Sequence, residues 1–278
     1  MISKFSTSYA ITHRGAVRQL NEDAHVEINN HNLWVVADRM GGHEAGEVAS
    51  QLVVDVIRAK VEELPLEKLE VSHIVEAIED ANRQLNEYSA QYLGSKTAGS
   101  TVTALFLKNN KYYVLWVGDS RAYMLRDGQL KQISRDHSQV NDLIDEGIIS
   151  VEEAKTHPLS NVITRAVGVT ADVKVDVIQN EVKTGDIFLL CSDGLTGELS
   201  DEDICLSLEP SSIIDSGMAL MHSSLVRGAR DNVTCILIKY DEGYAGHKSE
   251  TFNIQDEATI PLFLNNDFKL KNWFVFYI

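Results

Sequence analysis

Hydrophobic and polar positions divide most of the chain into short strands separated by turns. Apolar runs of strand length occupy residues 33–37, 101–107, 112–117, 122–125, 130–133, 187–190 and 233–238. Their length and their polar boundaries are typical of strands rather than helices. The dipeptide Asp127-Gly128 between two of these runs predicts a tight hairpin, because both residues tolerate the positive φ angles of such turns.

Two long helices are predicted between the strands. One follows from the spacing of Val48, Leu52, Val56 and Ile57, and the other from that of Ile74, Ile78, Ala81, Leu85 and Tyr88. A third helix is predicted near residues 213–225. Strand pairs interrupted by a helical pair favour an antiparallel α+β architecture, since the strict alternation of a parallel doubly wound sheet is missing.

The pattern changes after residue 240, where periodicity is weak and aromatic residues are frequent. The length of 278 residues, 44% of them hydrophobic, suits one fairly large domain with an appendage. We therefore predict a domain of residues 1–240 and an appendage of residues 241–278 whose role is open. The apolar run that ends the chain is too short to cross a bilayer, and residues 1–10 lack a signal pattern.

The charge and the cysteines restrict the partners and the compartment. The chain has 41 acidic and 25 basic residues and a formal net charge of -16. This excess disfavours nucleic acid and membrane lipid as partners, because both are bound by clustered Lys and Arg. The three cysteines match no metal motif, and Cys191 and Cys235 lie in apolar runs, which predicts buried thiols in a reducing cytoplasm.

The motifs of several hydrolytic and phosphoryl-transfer mechanisms are missing from the sequence. It contains no P-loop, no G-x-G-x-x-G, no nucleophile elbow and no zinc-binding H-E-x-x-H motif. None of the cysteines has an Arg six positions later, and no D-x-D-x-T motif is present. The sequence therefore shows no motif that would supply a nucleophile for covalent catalysis.

With those motifs excluded, the remaining candidates for a functional site are acidic residues at strand ends and turns. They are Glu22, Asp23, Asp38, Asp119, Asp193 and Asp231. Oxygen ligands select hard cations such as Mg2+ or Mn2+, and a pair of such ions can activate water and hold a phosphoryl group. Any single Asp is more typical of a cap or a turn. A structural Ca2+ module is a distant alternative that no Ca2+-loop motif supports.

Short stretches follow one another in a distinctive order along residues 8–240. They are RGAVRQLNED (14–23), VADRMGGH (36–43), GST (99–101), VGDSRAY (117–123), DHS (136–138), ITRAVG (163–168), CSDGL (191–195) and DNVT (231–234). Together they resemble the bacterial branch of the metal-dependent protein phosphatases, the type 2C or PPM family. Each stretch alone is a weak signal, and their combination in this order is highly specific.

The resemblance implies a four-layer α-β-β-α sandwich, an α+β fold of two antiparallel sheets flanked by helix pairs. A site at one edge would hold two Mn2+ or Mg2+ ions. By motif position, Asp38 would bridge the two ions, and Asp193 and Asp231 would complete the protein ligands of the first. The backbone carbonyl of Arg39 would join the second ion.

The same motifs imply roles for residues around that core set. Glu22 and Asp23 would reach the second ion directly or through water. Asp119 would hold a third, weaker ion together with Asp193. Arg18 would bind the substrate phosphate, which suits the planar fork of a guanidinium group.

The implied reaction is hydrolysis of phosphoserine and phosphothreonine in proteins by a metal-bridging hydroxide, without a phosphoenzyme. Met40 stands where some relatives carry a His, so water would protonate the leaving oxygen. The segment of residues 141–160, which ends at Ser160, would form a mobile flap. The implied partners are phosphorylated proteins, a Ser/Thr kinase and its substrates, and the chain would be a cytoplasmic monomer.

One position departs from the family pattern, which has Gly after the bridging Asp where this chain has Arg39. A side chain there would strain the backbone if φ were positive, and its charge would oppose metal binding. Two hypotheses follow. The chain is an active phosphatase whose second metal site is retained or weakened, or it is an impaired member that acts as a phosphoprotein-binding module.

Overall fold

A computed structural model of the chain describes residues 2–40, 46–94, 96–154, 157–160 and 162–244. The appendage from residue 245 onwards and the motif histidine His43 lie outside these described residues. None of the helices in the described part is long and apolar enough to cross a bilayer.

The strands alternate with turns as the hydrophobic pattern predicts. They are β1 (Ile2–His13), β2 (Ala24–Ile28), β3 (Leu33–Ala37), β4 (Arg39–Met40), β5 (Gly99–Ser100), β6 (Val102–Lys108), β7 (Lys111–Val117), β8 (Arg121–Arg126), β9 (Gln129–Gln132), β10 (Asp176–Glu181), β11 (Ile187–Cys191) and β12 (Val233–Tyr244). The predicted hairpin joins β8 to β9, with Asp127 and Gly128 at φ angles of 51° and 74°.

The helices include the three that the apolar spacing predicts, which are α1, α2 and α7. The full set is α1 (Gly46–Glu62), α2 (Val71–Tyr88), α3 (Gln139–Asp145), α4 (Val151–Ala154), α5 (Asp193–Thr196), α6 (Asp201–Ser207) and α7 (Ile213–Val226). A 3-10 turn covers Asn29–His31, and a π-helical turn, Ser89–Leu93, follows α2.

The strands form two five-stranded antiparallel sheets and a small ladder. The first sheet has the order β1-β12-β11-β8-β9, and the second has the order β10-β7-β6-β3-β2. The ladder pairs β4 with β5. β1 and β12 pair along their whole length, from Ile2 opposite Tyr244 to His13 opposite Val233. β12 therefore continues four residues past the predicted domain boundary at residue 240.

Three hydrophobic cores separate four layers. The central core contains side chains from the facing surfaces of both sheets, with Trp34 and Phe188 almost fully buried. A second core lies between the second sheet and the pair α1–α2, and a third lies between the first sheet and helices α5–α7. This arrangement confirms the predicted α-β-β-α sandwich. Cys191 and Cys235 are buried free thiols in the third core, as predicted.

Candidate active site

The topology brings the predicted acidic strand ends to one edge of the molecule. In the first sheet, the end of β11 pairs with the starts of β8 and β12. In the second sheet, the end of β7 pairs with the start of β6, and the start of β6 pairs with the end of β3. The short connection 118–120 leads from β7 into β8 and so joins the two edges. The acidic residues at these ends are Asp38, Asp119, Asp193 and Asp231.

The main chain of Asp38 is fixed by the segment 99–101. The Thr101 amide donates to the Asp38 carbonyl at 2.7 Å, and the Asp38 amide donates to Thr101 Oγ1 at 3.0 Å. Ser100 Oγ donates to the same carbonyl at 2.9 Å. The GST motif at 99–101 therefore holds the main chain of Asp38 in place. The sequence alone does not predict this role for the motif.

The carboxyl groups around Asp38 are close enough to perturb one another. The pKa of Asp38 is raised well above its usual range, first by burial and then by the negative charges of Asp23, Asp193 and Asp119. Burial also raises the pKa of Asp193, while the nearby side chain of Asp38 opposes that rise. The charges of four carboxyl groups thus act on one another at this edge, where a bound cation would relieve their repulsion.

Asp23 carries an oxygen that the described structure leaves without a partner. Ser192 Oγ donates to Asp23 Oδ2 at 2.8 Å, whereas Asp23 Oδ1 is buried and has no hydrogen-bond partner among the described residues. Burial raises the pKa of Asp23 to about 6. Buried polar atoms are rarely left unsatisfied in proteins, so this oxygen fits a ligand position for a hard cation.

Asp119 lies at the other side of the cluster, on the link between the sheets. Burial, together with the charges of Asp193 and Asp136, raises the pKa of Asp119 to about 7. Asp136 is itself held by Arg121, whose Nη2 lies 2.7 Å from Asp136 Oδ2. The predicted neighbourhood of Asp119 and Asp193 is therefore present.

Asn232 fastens the loop between β1 and β2 to the site. Its Nδ2 donates to the carbonyls of Arg14 and Leu20 at 2.9 and 2.8 Å. Its Oδ1 accepts the amide of Glu22 at 2.8 Å. Asn232, Thr101 and Ser192 thus position the acidic residues. Each of the three lies in one of the family motifs, so the sequence could have marked them as site residues. Their positioning role depends on hydrogen bonds that only the structure shows.

A close backbone approach holds Asp193 beside Asp231. A Cβ atom added to Gly194 would lie 1.9 Å from the Asn232 carbonyl oxygen, so only glycine fits between α5 and the start of β12. Gly15 has a similar role on the loop that follows β1, since it has φ of 78° and a Cβ there would lie 2.1 Å from the Asp231 carbonyl oxygen.

Two arginines pair with predicted metal ligands. Arg18 Nη2 lies 2.7 Å from Asp231 Oδ2, and both side chains are partly exposed. Arg39 Nη1 contacts Glu22 Oε2 in an ion pair whose side chains are only 12% and 15% exposed. Burial and the nearby positive charge of Arg18 lower the pKa of Arg39, while Asp231 opposes this effect. Positive charge thus already lies on one side of the acidic cluster.

The main chain at Arg39 tolerates a side chain. Arg39 is extended in β4 and pairs with Ser100, and it is not among the described residues with positive φ. The backbone strain considered for this position therefore does not arise. Because Thr101 donates to the Asp38 carbonyl, the alternation of an antiparallel ladder points the next carbonyl, that of Arg39, away from β5. This direction is compatible with its predicted use as a ligand.

One side of the site suits a divalent cation better than the other side does. Clustered carboxyl groups, their raised pKa values and the unpartnered Asp23 Oδ1 favour a cation beside Asp38. In contrast, Glu22 is engaged by Arg39, and Asp231 by Arg18. Within the described ranges, no group of three or more His, Cys, Asp or Glu side chains is already arranged to hold a metal ion.

The fold and the site define a class of protein, an α-β-β-α sandwich with a carboxylate site where the edges of its two sheets meet. A model of the protein phosphatase 2C family matches residues 12–234. This chain belongs to the protein phosphatase 2C family.

Relatives in the family are serine/threonine phosphatases of bacteria. The serine/threonine protein phosphatase PstP of Mycobacterium tuberculosis is 37% identical over 233 residues, which cover 83% of this chain and 45% of PstP. This chain thus spans less than half the length of that relative. The serine/threonine phosphatase Stp of Listeria welshimeri is 34% identical over 238 residues, which cover 82% of this chain and 93% of Stp.

Solved structures agree with the family assignment. The crystal structure of M. tuberculosis PstP matches with a TM-score of 0.78 at 35% identity, covering 86% of this chain and 99% of that one. The catalytic domain of PstP in complex with two manganese ions matches with a TM-score of 0.77 at 33% identity, covering 86% of this chain and 100% of that one.

Proposed function

We propose that this chain is a divalent-cation-dependent phosphatase that hydrolyses phosphoserine and phosphothreonine in proteins. The observation that carries the proposal is the grouping of Asp38, Asp193, Asp119 and Asp23 at one edge, with the buried Asp23 Oδ1 left without a partner among the described residues. A cluster of this kind suits Mn2+ or Mg2+, which prefer oxygen ligands. Membership of the family and the manganese-bound relative support the same activity.

The roles of the chain's own residues follow from their positions. Asp38, Asp23, Asp193 and Asp119 would hold the cation, which when bound supplies an activated water and neutralises phosphoryl charge. The guanidinium of Arg18 lies partly exposed beside Asp231, where it can orient a phosphate by two parallel hydrogen bonds. At position 40 the chain has Met, which cannot donate a proton, so water protonates the leaving oxygen.

The setting of the activity follows the same proposal. The substrates are phosphorylated proteins, and a Ser/Thr kinase supplies the phosphate that this chain removes. The chain acts as a cytoplasmic monomer, with residues 1–240 as catalytic domain, residues 241–278 as an appendage and residues 141–160, including Ser160, as a flap beside the site. The strongly acidic charge of -16 disfavours nucleic acid as a partner.

Hydrolysis of p-nitrophenyl phosphate and of a phosphothreonine peptide, titrated with Mn2+, tests the activity. We expect metal-dependent turnover that Asp38→Asn lowers by roughly 100-fold or more, because the variant loses a charged ligand of the cation. Asp55→Asn, at an exposed position on α1, is the matched control and should retain turnover. A folded wild-type chain without Mn2+-stimulated phosphate release would refute the proposal.

The largely buried ion pair between Arg39 and Glu22 favours a second candidate function. An impaired member would bind phosphoproteins without releasing phosphate, since one predicted metal ligand is engaged by a side chain of the same protein. Phosphopeptide binding measured by fluorescence anisotropy, in parallel with phosphate release, separates the two candidates. Binding without release in the wild type, with release restored in Arg39→Gly, would support the binding module.

A further inference from the structure

The side chain of Arg39 lies at the side of the acidic cluster where a cation would otherwise reach Glu22. Its guanidinium contacts Glu22 Oε2, and both side chains are largely buried. It also lies close enough to Asp231 and Arg18 for their charges to act on it. Because an arginine keeps its proton in proteins, this group is a permanent single positive charge among carboxylates.

Glu22 is poorly placed to leave this pair. Its amide donates to Asn232 Oδ1 at 2.8 Å, and its carbonyl accepts from Ser50 Oγ at 2.5 Å. With its main chain fixed on both sides, the carboxylate can reach a different partner only by rotating its own side chain. Removing it from Arg39 would take one carboxylate partner away from a largely buried guanidinium, which is costly.

A divalent cation at this side would meet two obstacles. It would have to take Glu22 from Arg39, and it would then lie beside a positive charge that cannot dissociate. On the other side of the cluster, the charge of Arg121 also acts on Asp119 and Asp193, but Arg121 is balanced by its ion pair with Asp136. No carboxylate has to be taken from an arginine there, and Asp23 Oδ1 has no partner among the described residues. The two sides of the site are therefore electrostatically different.

We infer that the Arg39 guanidinium replaces one of the site's divalent ions as a built-in cation, so that this chain binds one Mn2+ fewer than its Arg39→Gly variant. The inference rests on the metal site of the proposed function. It replaces the predicted second ion, held by Glu22 and the Arg39 carbonyl, with a side chain. The predicted pairing of Asp119 with Asp193 is unaffected, because it lies on the other side of the cluster.

Counting bound Mn2+ tests this inference without any measurement of turnover. Isothermal titration calorimetry gives the stoichiometry, and the electron paramagnetic resonance signal of free Mn2+ gives the unbound fraction. We expect Arg39→Gly to bind one more Mn2+ per chain, or to tighten the weakest binding step roughly 100-fold, because a neighbouring positive charge is removed. Arg39→Met, which keeps a long side chain without charge, should behave in the same way.

Two controls separate the charge at this position from other effects. Arg39→Lys retains a positive charge and should keep the wild-type count. Arg83→Gln removes an exposed arginine that pairs with Asp80 on α2 and should also change nothing. Circular dichroism melting establishes that each variant is folded, and Arg39→Met serves if the glycine variant weakens β4.

The outcomes distinguish this inference from the proposed function. Equal Mn2+ counts and affinities in the wild type, Arg39→Gly and Arg39→Met would overturn the inference, and the activity assay would be unaffected. An additional ion in both neutral variants, with no phosphate release by any of them, would support the inference and refute the proposed activity. An absence of Mn2+ binding in every folded variant would overturn both.

Discussion

Asn232 shows how one neutral side chain determines the position of charged ones. Its amide group makes three side-chain hydrogen bonds to the loop between β1 and β2, and the residue is only 4% exposed. That loop carries Glu22 and Asp23, while Asn232 itself follows Asp231. Asn232 therefore fixes the positions of Glu22 and Asp23, near the start of the domain, relative to Asp231, near its end.

Asn232→Ala is expected to lower the free energy of unfolding by about 2–4 kcal/mol, because three hydrogen bonds are lost and buried partners are left unsatisfied. Mn2+ affinity should fall as well, since the loop that carries Asp23 loses its anchor. Urea unfolding followed by tryptophan fluorescence measures the first effect, and calorimetry the second. Asn180→Ala, at an exposed position on β10, should change neither quantity. Wild-type stability in the Asn232 variant would contradict the anchoring role.

The carboxyl cluster predicts an unusual dependence of stability on pH in the metal-free protein. The pKa values of Asp23 and Asp119 are raised in the folded state to about 6 and about 7, above those of the unfolded chain. Between the unfolded and folded pKa values, the native state binds more protons than the unfolded state. Stability from these groups is therefore present at low pH and is lost as pH rises through this window.

The melting temperature measured in EDTA from pH 5 to pH 8 tests this dependence. We expect Asp119→Asn to reduce the fall across this range, because the variant side chain has no charge to acquire. Saturating Mn2+ should reduce the fall in the wild type too, since a cation favours the ionised carboxylates. Asp55→Asn is the control and should follow the wild type. The idea fails if Asp119→Asn and wild type show the same pH profile.

At the scale of elements, the connections around α5 determine whether the site forms. α5 has four residues, and Asp193 is its first. Gly194, the next residue, allows α5 to contact the turn before β12, because any side chain there would overlap the Asn232 carbonyl. Asp193 and Asp231 can therefore lie close together only because residue 194 has no Cβ atom.

Gly194→Ala should destabilise the fold by about 1–3 kcal/mol, because the added methyl group forces two backbone segments apart. Mn2+ affinity should decrease with it, since Asp193 moves away from its neighbours. Gly197→Ala is the comparison in the same turn, where φ is -69° and a new Cβ would lie 3.1 Å from the Asp193 carbonyl oxygen, so that only a small shift is needed. Equal Mn2+ affinities in the two variants would exclude the proposed role of Gly194.

Elements with strong local signals could be predicted from the sequence. β3, β7 and β11 were visible as apolar runs, and α1, α2 and α7 had clear helical spacing. β10 was missed because it is an edge strand whose apolar residues Val177 and Ile178 are 41% and 39% exposed. β1 lies outside the predicted runs because Ser, Thr and Lys residues interrupt its apolar positions. The helices α3 to α6 have at most seven residues, too few for a clear helical period.

The site was predictable as a set of residues but not as an arrangement. The motifs identified Asp38, Asp193, Asp119 and Asp23, and the structure places these four together. The ion pair between Arg39 and Glu22 could not be foreseen, because their meeting depends on how the loop before β2 folds against β4. Arg18 was predicted to bind phosphate, whereas in the structure it pairs with Asp231, so its predicted role is still to be tested.

At the scale of the whole molecule, the two sheets depend on each other through the central core and through the site. Residues 38 and 119 follow strands of the second sheet, and residues 193 and 231 belong to connections of the first. A cation held by ligands from both sheets would link them at one edge. Bound metal is therefore expected to stabilise the whole domain rather than one layer.

The end of β12 determines where the folded domain can be cut. Residues 241–244 pair with residues 2–5 of β1, so a chain ended at residue 240 leaves the start of β1 without partners. We expect a 1–240 chain to be less stable than a 1–244 chain by roughly 2 kcal/mol, since several backbone hydrogen bonds are lost. Thermal melting of the two truncations, beside the full chain, measures the difference. Identical melting of both truncations would show that these pairs contribute nothing.

The complete pairing of β1 with β12 also bears on how such a domain can be recombined with others. Ile2 and Tyr244 are opposite each other at one end of these strands, while Val233, next to the acidic edge, lies at the other end. Val233 and Tyr244 are the two ends of this 12-residue strand, a span of roughly 36 Å. Segments joined at either end of the domain therefore attach side by side and far from the chemistry. Gene fusion can therefore add or exchange neighbouring domains without changing the acidic edge.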